Sequence, residues 1–512
     1  MTIPTKRTAL LLAVLAVVAT SNTPVAGTAP IAAITGLVAA TTPTTAVASV
    51  GSTTSIPQIH QGPFTEVFPP EEFAIRRARL MEKIGGGVAI LQGTIERPGE
   101  QPFRQSNEVF YLSGVELPRV ILVIDGLAKR STLYLPERNE RRERARGPEI
   151  FAGSEAAAIT GLDAVVDRDE FAAAASSFDG RVIWTPHRPE VLGNASPGDT
   201  RAQARATAAD PWDGRPSREE VFIDKLHVTA AAAAIRDLDP LIDALRFIKS
   251  PREIDIIREA TRVTGLGIME AMREAEPGML EYELQAVAEY VFKKHGSQGA
   301  AYFALVATGP NTIYSHYHRG TRVLADGDLV QFDYAPDYRY YVSDVTRVFP
   351  ANGTFTPVQR EFYTIYLRMY QALMSVIRPG VPVPDLLREA GTRMETIIAA
   401  FPFTHPEIEA AAQQFAARYI SGPGRSFGHN IGMAVHDVGS GDVRYDTLPP
   451  GQMFTIEPAL QVPDLGLFMR LEDALLVTDT GYENLSAFVP IEIHDIERTM
   501  AEPGISRLIE RR

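Results

Sequence analysis

Two short stretches each place a pair of carboxylates inside an apolar β-pattern, and a chain that does this folds only if something neutralises them. Leu329–Tyr334 and Tyr341–Phe349 read as strands, separated by the turn-forming run Pro336–Arg339. A fold-back at Tyr338–Arg339 pairs residues whose numbers sum to 677, which sets Asp333 opposite Asp344 with Cβ atoms ~4.5–5.5 Å apart. Further on, Met453–Glu457 and Leu467–Glu472 read as strands around the turn Pro463–Gly466. A fold-back at Asp464–Leu465 gives a sum of 929 and sets Glu457 opposite Glu472.

Like charges facing each other on a sheet repel, and buried together they must be protonated or bound to cations. One such pair reads most simply as an exposed cross-strand contact. Two pairs, both within apolar strands, point to metal: two divalent ions supply the four positive charges that four carboxylates need. His429 lies between Gly428 and Gly432, where small residues let the backbone approach a site closely. Four oxygen donors and one imidazole suit Mn²⁺, Co²⁺ or Zn²⁺, with Mn²⁺ the first expectation. Paired ions ~3.5–4 Å apart are a hydrolase design.

Composition removes the competing chemistries. The 512 residues contain no cysteine, which excludes disulfides, thiolate metal sites and thiol nucleophiles. Asp plus Glu number 63 and Lys plus Arg 50, so a formal charge of −13 argues against a nucleic-acid partner. At the N-terminus, Lys6 and Arg7 precede an apolar run, Thr8–Ala19, that has the length of a secretory h-region and is short for a membrane span. Cleavage is expected after Ala26 or as late as Ala46-Val47-Ala48, with residues 1–55 serving as signal and flexible leader. The expectation is an exported protein, periplasmic or secreted, with no stable membrane anchor.

Order is expected from about Phe64. Glu71–Ile84 has a helical pattern ended by Gly85-Gly86-Gly87, and Val88–Leu91, Val120–Ile124, Thr132–Leu135 and Val182–Trp184 read as strands. This alternation predicts an α/β domain over 64–230. Ala230–Leu245 reads as a largely helical link interrupted at Pro240. Ser250-Pro251-Arg252-Glu253 opens a long helix with a capping box, and a second helix runs over Leu280–His295. Strands then dominate, apart from a helical insertion at about Pro357–Phe401, giving an α+β domain over 240–500. The charged run Glu137–Arg146 reads as solvated surface.

Taken in order and spacing, the stretches Leu245–Pro251, Gly327–Asp333, Ser343–Arg347, Val435–Gly439, Phe454–Pro458 and Arg470–Asp473 resemble the pita-bread metallopeptidases, in the aminopeptidase P and prolidase branch. Phe103–Gly114 extends the resemblance weakly into the N-terminal half. The resemblance implies an α+β fold, a C-terminal pita-bread catalytic domain behind an N-terminal α/β creatinase-like domain. It implies that Asp344 and Glu472 bridge two metals, His429 and Glu457 complete one site, and Asp333 completes the other. Glu457 would also act in general acid–base catalysis. His316 and His436 would lie on the substrate side, His436 steadying the scissile carbonyl. Arg470, two residues before Glu472 on the same strand face, would anchor the acids.

Arg425 stands where the branch usually carries a histidine lining the pocket for the residue after the scissile bond. It brings a fixed charge, able to bind a substrate carboxylate. Arg444 lies where prolidase-like enzymes carry a carboxylate clamp, although aminopeptidases carry similar arginines. His318 has no counterpart role and reads as structural or rim-exposed. The expected activity is removal of an N-terminal residue from peptides, of the Xaa-Pro type. A prolidase-like dipeptidase is the close alternative, and a metal-free creatinase-like hydrolase or a binding module is the alternative of different class. By analogy the chain is expected to form a homo-oligomer, dimer or tetramer.

Overall fold

The computed structural model describes residues 68–506 except 100, 148, 194, 422–425 and 440–445. The expected signal and leader, the expected onset of order at Phe64, Arg425 and Arg444 all lie outside the described residues. Among the described residues no helix is long and apolar enough to cross a membrane.

The first helix, α1 (Pro70–Ile84), begins with proline at its first turn and two acids, Glu71 and Glu72, near its positive end. It is followed by six strands: β1 (Val88–Gln92), β2 (Ile121–Asp125), β3 (Arg130–Leu135), β4 (Ala164–Asp167), β5 (Val182–Thr185) and β6 (Ala234–Asp237). They form one mixed sheet in the order β4-β3-β2-β1-β5-β6. Alternation along β1 sends Val88 and Ile90 to one core and Ala89 and Leu91 to the other, so both faces are covered. The second of these cores also takes in Tyr340, Tyr341, Ile431, Met433 and Met453 from the C-terminal half.

Strand β6 corrects the expected helical link. Ala234–Asp237 pairs in parallel with Val182–Thr185 as an edge strand. Pro240 does not interrupt a helix; it lies in the first turn of a new one, Asp239–Phe247, where its missing N–H costs nothing. The alanine-rich run misled because helix propensity yields to a vacant sheet edge.

In the C-terminal half, Ser250 caps α2 (Pro251–Glu274): its hydroxyl accepts from the Glu253 N–H at 3.3 Å, and Glu253 accepts from the Ser250 N–H at 2.9 Å. Helix α3 (Glu281–Lys294) packs beside it. The helical insertion comprises α4 (Pro357–Met374), α5 (Val383–Ala399) and α6 (Pro406–Ser421), and so runs past its expected end at Phe401. The buried residues of α6, Ile408, Ala412, Phe415, Ala416 and Tyr419, repeat at helical spacing.

The strands that matter for function form two hairpins. The first sheet contains β7 (Leu305–Thr308), β8 (Leu329–Asp333) and β11 (Thr346–Pro350), with β8 in the centre; β9 (Pro336–Tyr338) and β10 (Tyr341–Val342) form the hairpin's outer end. Here the expected register is wrong by two. Asp333 pairs with Thr346 and Tyr338 with Tyr341, a sum of 679, because the tip is Arg339–Tyr340. Both tip residues have positive φ, 53° and 71°, unusual for side chains of this size. The Tyr340 ring explains the choice: it is fully buried and stacked 3.5 Å from Phe110, while its hydroxyl accepts from the Gln105 N–H at 2.9 Å and donates to Glu116 at 2.8 Å. A slip of two preserves the sheet face, so Asp344 remains on the side of Asp333, displaced along the strand.

The second hairpin keeps the expected register. Strands β12 (Met453–Ile456) and β15 (Asp473–Val477) pair with a sum of 929, and so do β13 (Ala459–Val462) and β14 (Leu467–Arg470). The ladder breaks only between these two segments, at Glu457-Pro458 and Leu471-Glu472, where the acids sit.

Candidate metal centre

At the break the backbone finds other partners. The Glu472 N–H donates to the Thr346 carbonyl at 3.0 Å and the Glu457 N–H to the Phe427 carbonyl at 3.1 Å. The first bond ties one hairpin to the other. Tyr366, on α4, fills the gap: its hydroxyl accepts from the Leu471 N–H at 2.9 Å and donates to the Pro458 carbonyl. Arg347, fully buried, reinforces the junction by donating to the Glu472 carbonyl at 2.7 Å and pairing with Asp473 at 2.7 Å.

The His429 segment crosses both hairpins. The Thr455 N–H donates to the His429 carbonyl at 2.8 Å. A Cβ on Gly428 would fall 2.4 Å from the Thr455 carbonyl oxygen, so only glycine permits the approach. His429 turns Nδ1 toward the Asn430 carbonyl at 3.3 Å, and a proton held there leaves Nε2 free as a ligand atom. Around Nε2 stand Asp344 Oδ2 at 3.4 Å, Glu457 Oε1 at 3.5 Å and Glu472 Oε1 at 3.8 Å. Asp344, His429 and Glu472 each present a ligand atom within 4.8 Å of the other two. Asp333 joins from the side: the Tyr302 hydroxyl lies 2.7 Å from both Asp333 Oδ1 and Asp344 Oδ1. Arg470 pairs with Asp333 and reaches Glu457 Oε2 at 3.5 Å.

The five expected ligands therefore converge, three carboxylates about the His429 nitrogen and the fourth, Asp333, beside them. Divalent metal fits this donor set on the structure's own terms. Glu472 Oε1 is buried and has no hydrogen-bond partner, while its other oxygen accepts from Thr346 Oγ1 at 2.8 Å. A buried carboxylate oxygen aimed into a ring of acids, with nothing bonded to it, is a ligand position rather than a stabilising contact.

The protonation pattern of the metal-free site carries the same message. Burial, reinforced by Asp344 and Glu457, drives the Glu472 carboxyl well above its ordinary range. Burial raises Asp333 to about 7 despite Arg470. Asp344 moves the other way, because the hydrogen bond and charge of His429 outweigh its burial. Without cations, the cluster is tolerable only by holding protons.

His436 is half-buried and its ring centroid is 4.1 Å from that of His429. Burial, with His429 beside it, lowers its imidazole to about 4, and His316 is close enough to contribute. His316 itself is exposed on the segment after β7. His318 is exposed, its ring centroid 4.6 Å from that of Phe303 with the planes tilted by 51°. Sequence reasoning missed Tyr302, Thr346, Arg347 and Tyr366. The first lies in a loop and the last on a distant helix, with no local pattern to reveal them; Thr346 and Arg347 stand in the stretch Ser343–Arg347 without an inferred role.

Residues 255–479 match the model of metallopeptidase family M24, and residues 73–181 match that of the aminopeptidase P N-terminal domain. The chain is 31% identical over 452 residues to the Xaa-Pro aminopeptidase of Escherichia coli (strain K12), covering 84% of this chain and 97% of that protein. Its fold is similar to the zinc-substituted E. coli aminopeptidase P in complex with product, with a TM-score of 0.69, 27% identity and coverage of 84% and 98%. It is likewise similar to proline aminopeptidase P II from Yersinia pestis, with a TM-score of 0.68, 28% identity and coverage of 84% and 99%.

Proposed function

The chain belongs to metallopeptidase family M24, in its Xaa-Pro aminopeptidase branch, and from that premise we propose that it removes the N-terminal residue from peptides whose second residue is proline, with divalent metal held by Asp333, Asp344, His429, Glu457 and Glu472. The observation that carries the reading is the ring of carboxylate oxygens 3.4–3.8 Å from His429 Nε2, one of them otherwise unbonded. Two ions, with Mn²⁺ first and Co²⁺ or Zn²⁺ as alternatives, supply Lewis acidity and an acidified water when bound.

The protein's own groups do the rest. Glu457, a quarter exposed at the mouth of the cluster, takes a proton from the attacking water. As the water oxygen bonds to the carbonyl carbon and the carbon–nitrogen bond breaks, Glu457 returns that proton to the leaving proline nitrogen. His436, neutral at physiological pH, donates a hydrogen bond to the carbonyl oxygen as charge develops there. Arg470 bridges Asp333 and Glu457 and holds both acids in place. Arg425 and Arg444 would meet the far side of the substrate.

A peptide panel tests this reading. Tripeptides and longer substrates with proline second should be cleaved in the presence of Mn²⁺, Co²⁺ or Zn²⁺. Cleavage restricted to dipeptides would assign the prolidase-like activity instead. No bound divalent ion and no rescue by any of the three would favour the metal-free classes. Varying the second residue measures how strictly proline is required with Arg425 in place of histidine.

The N-terminal Lys6-Arg7 and apolar run support export to the periplasm or medium. N-terminal sequencing of protein from those fractions should find the chain starting after Ala26 or Ala48. A homo-oligomer, dimer or tetramer, completes the reading by analogy, and sedimentation velocity tests it.

A further inference from the structure

His316 sits on an exposed segment with little regular structure, yet its role toward substrate requires a fixed position. One carboxylate gathers side-chain and backbone donors from along the whole segment. Glu281, the first residue of α3, is fully buried and lies outside the metal cluster. Its Oε1 accepts from the Thr308 N–H and Thr308 Oγ1, each at 2.9 Å, and from Asn311 Nδ2 at 3.1 Å. Its Oε2 accepts from the Tyr317 hydroxyl at 2.9 Å and the Arg322 N–H at 3.0 Å. All five donors belong to residues 308–322, and Tyr317 is the immediate neighbour of His316. The backbone adds two bonds at the same place, from Glu281 N–H to the Arg322 carbonyl and from Tyr282 N–H to the Gly320 carbonyl, both 3.0 Å.

A buried carboxylate is costly to strip of water, and five donors fully satisfy it. The satisfaction runs both ways: the Glu281 carboxylate, with the two backbone bonds, holds the segment against the start of α3. We propose that Glu281 is a positioning residue for the peptidase reaction, setting His316 at the mouth of the metal centre by fixing both ends of the segment that carries it. The proposal rests on the reading of His316 as a substrate-side residue. It names Glu281 and Tyr317 as determinants of that residue's placement, with no contact of their own to substrate or metal.

The test is a double-mutant cycle on the metal-loaded, full-length enzyme. Glu281→Gln keeps the side chain's size but turns an amide donor toward the Arg322 N–H, leaving that group without an acceptor. It should lower kcat by roughly 10- to 100-fold, the scale of a small misplacement of a catalytic group, with metal content unchanged. His316→Ala should also lower kcat. If Glu281 acts through His316, the double variant is no slower than His316→Ala alone. Additive losses would overturn the proposal while leaving the role of His316 intact. His316→Ala with full activity would overturn both. Tyr317→Phe removes one hydroxyl, keeps the core, and carries the same cycle if Glu281→Gln fails to fold. Hydrogen exchange gives a second readout: amides within 308–322 should exchange faster in Glu281→Gln while those of β8 and β12 stay protected. Unchanged exchange in that segment would also count against the proposal.

Discussion

At the scale of single residues, the metal centre is a problem of unpaired negative charge. Asp344, His429 and Glu472 each present a ligand atom within 4.8 Å of the other two, so losing either carboxylate would strip a donor from the centre of the cluster. Asp344→Ala should abolish activity and reduce bound metal, measured by elemental analysis alongside turnover; near-normal turnover would contradict the assignment. Thr346→Val removes the donor to Glu472 Oε2 and a long acceptor for Arg470 at 3.5 Å, and should weaken metal affinity by roughly 10- to 100-fold, as outer partners of ligands usually do. The pH dependence follows from Asp333. Its carboxyl has an ordinary value of 3.8 and sits at about 7 in the metal-free fold. Between those values the folded state holds a proton that the unfolded chain has lost, so metal-free stability declines as pH rises through this window. Metal must displace that proton, so affinity rises with pH over the same range. The gain in melting temperature on adding Mn²⁺ should therefore be larger at pH 8 than at pH 6. An equal gain at both would show that Asp333 carries no proton to displace.

At the scale of elements, each hairpin opens where its acids are needed. The second hairpin's ladder stops for two residues on each strand and resumes in the same register, and the freed backbone groups are taken up by Thr346, Phe427 and Tyr366. Tyr366→Phe would leave the Leu471 N–H and the Pro458 carbonyl without partners in a buried place, costing about 1–3 kcal/mol. Chemical denaturation should show that loss, and metal affinity should fall with it, since Glu472 follows Leu471 directly. A variant as stable as the parent would mean that the ladder closes on itself without the hydroxyl. The second hairpin's register was legible in the sequence because its turn, Pro463–Gly466, is made of residues that turn by local preference, with Gly466 in the left-handed region. The first was misread by one tip position because Arg339–Tyr340 has no such preference. Its positive φ values are held by the burial of Tyr340 against Phe110, which lies 230 residues earlier.

At the scale of the whole molecule, a chain of buried charges joins the N-terminal helix Asn107–Ser113 to the loop that carries His436. Glu108 pairs with Arg188 and Arg246, each at 3.0 Å, and Arg246 passes the contact to Asp437 at 2.6 Å, beside His436. Lys249 meets Asp437 at 3.4 Å and Arg188 meets Asp243 at 2.9 Å. Removing Glu108 takes one carboxylate from each of two buried guanidiniums, leaving Arg188 with Asp243 and Arg246 with Asp437. Glu108→Ala should destabilise the protein by about 3–5 kcal/mol, seen as a lower denaturation midpoint. A loss below ~1 kcal/mol would show that water or rearrangement replaces the carboxylate.

The sequence by itself determined which residues could ligate metal, the register of the hairpin with a self-sufficient turn, the capped start of α2 and the strand β1. Each depends on neighbours a few residues apart, whose preferences are written in their own chemistry. Only the tertiary structure decided how the two hairpins meet, which tip the first adopts, that Ala234–Asp237 completes a sheet edge, and that Tyr302, Tyr366 and Glu281 brace the site. Those outcomes depend on groups far apart in the chain competing for the same buried partners, and the winner is set by packing and by the need to satisfy every buried charge and hydrogen bond at once.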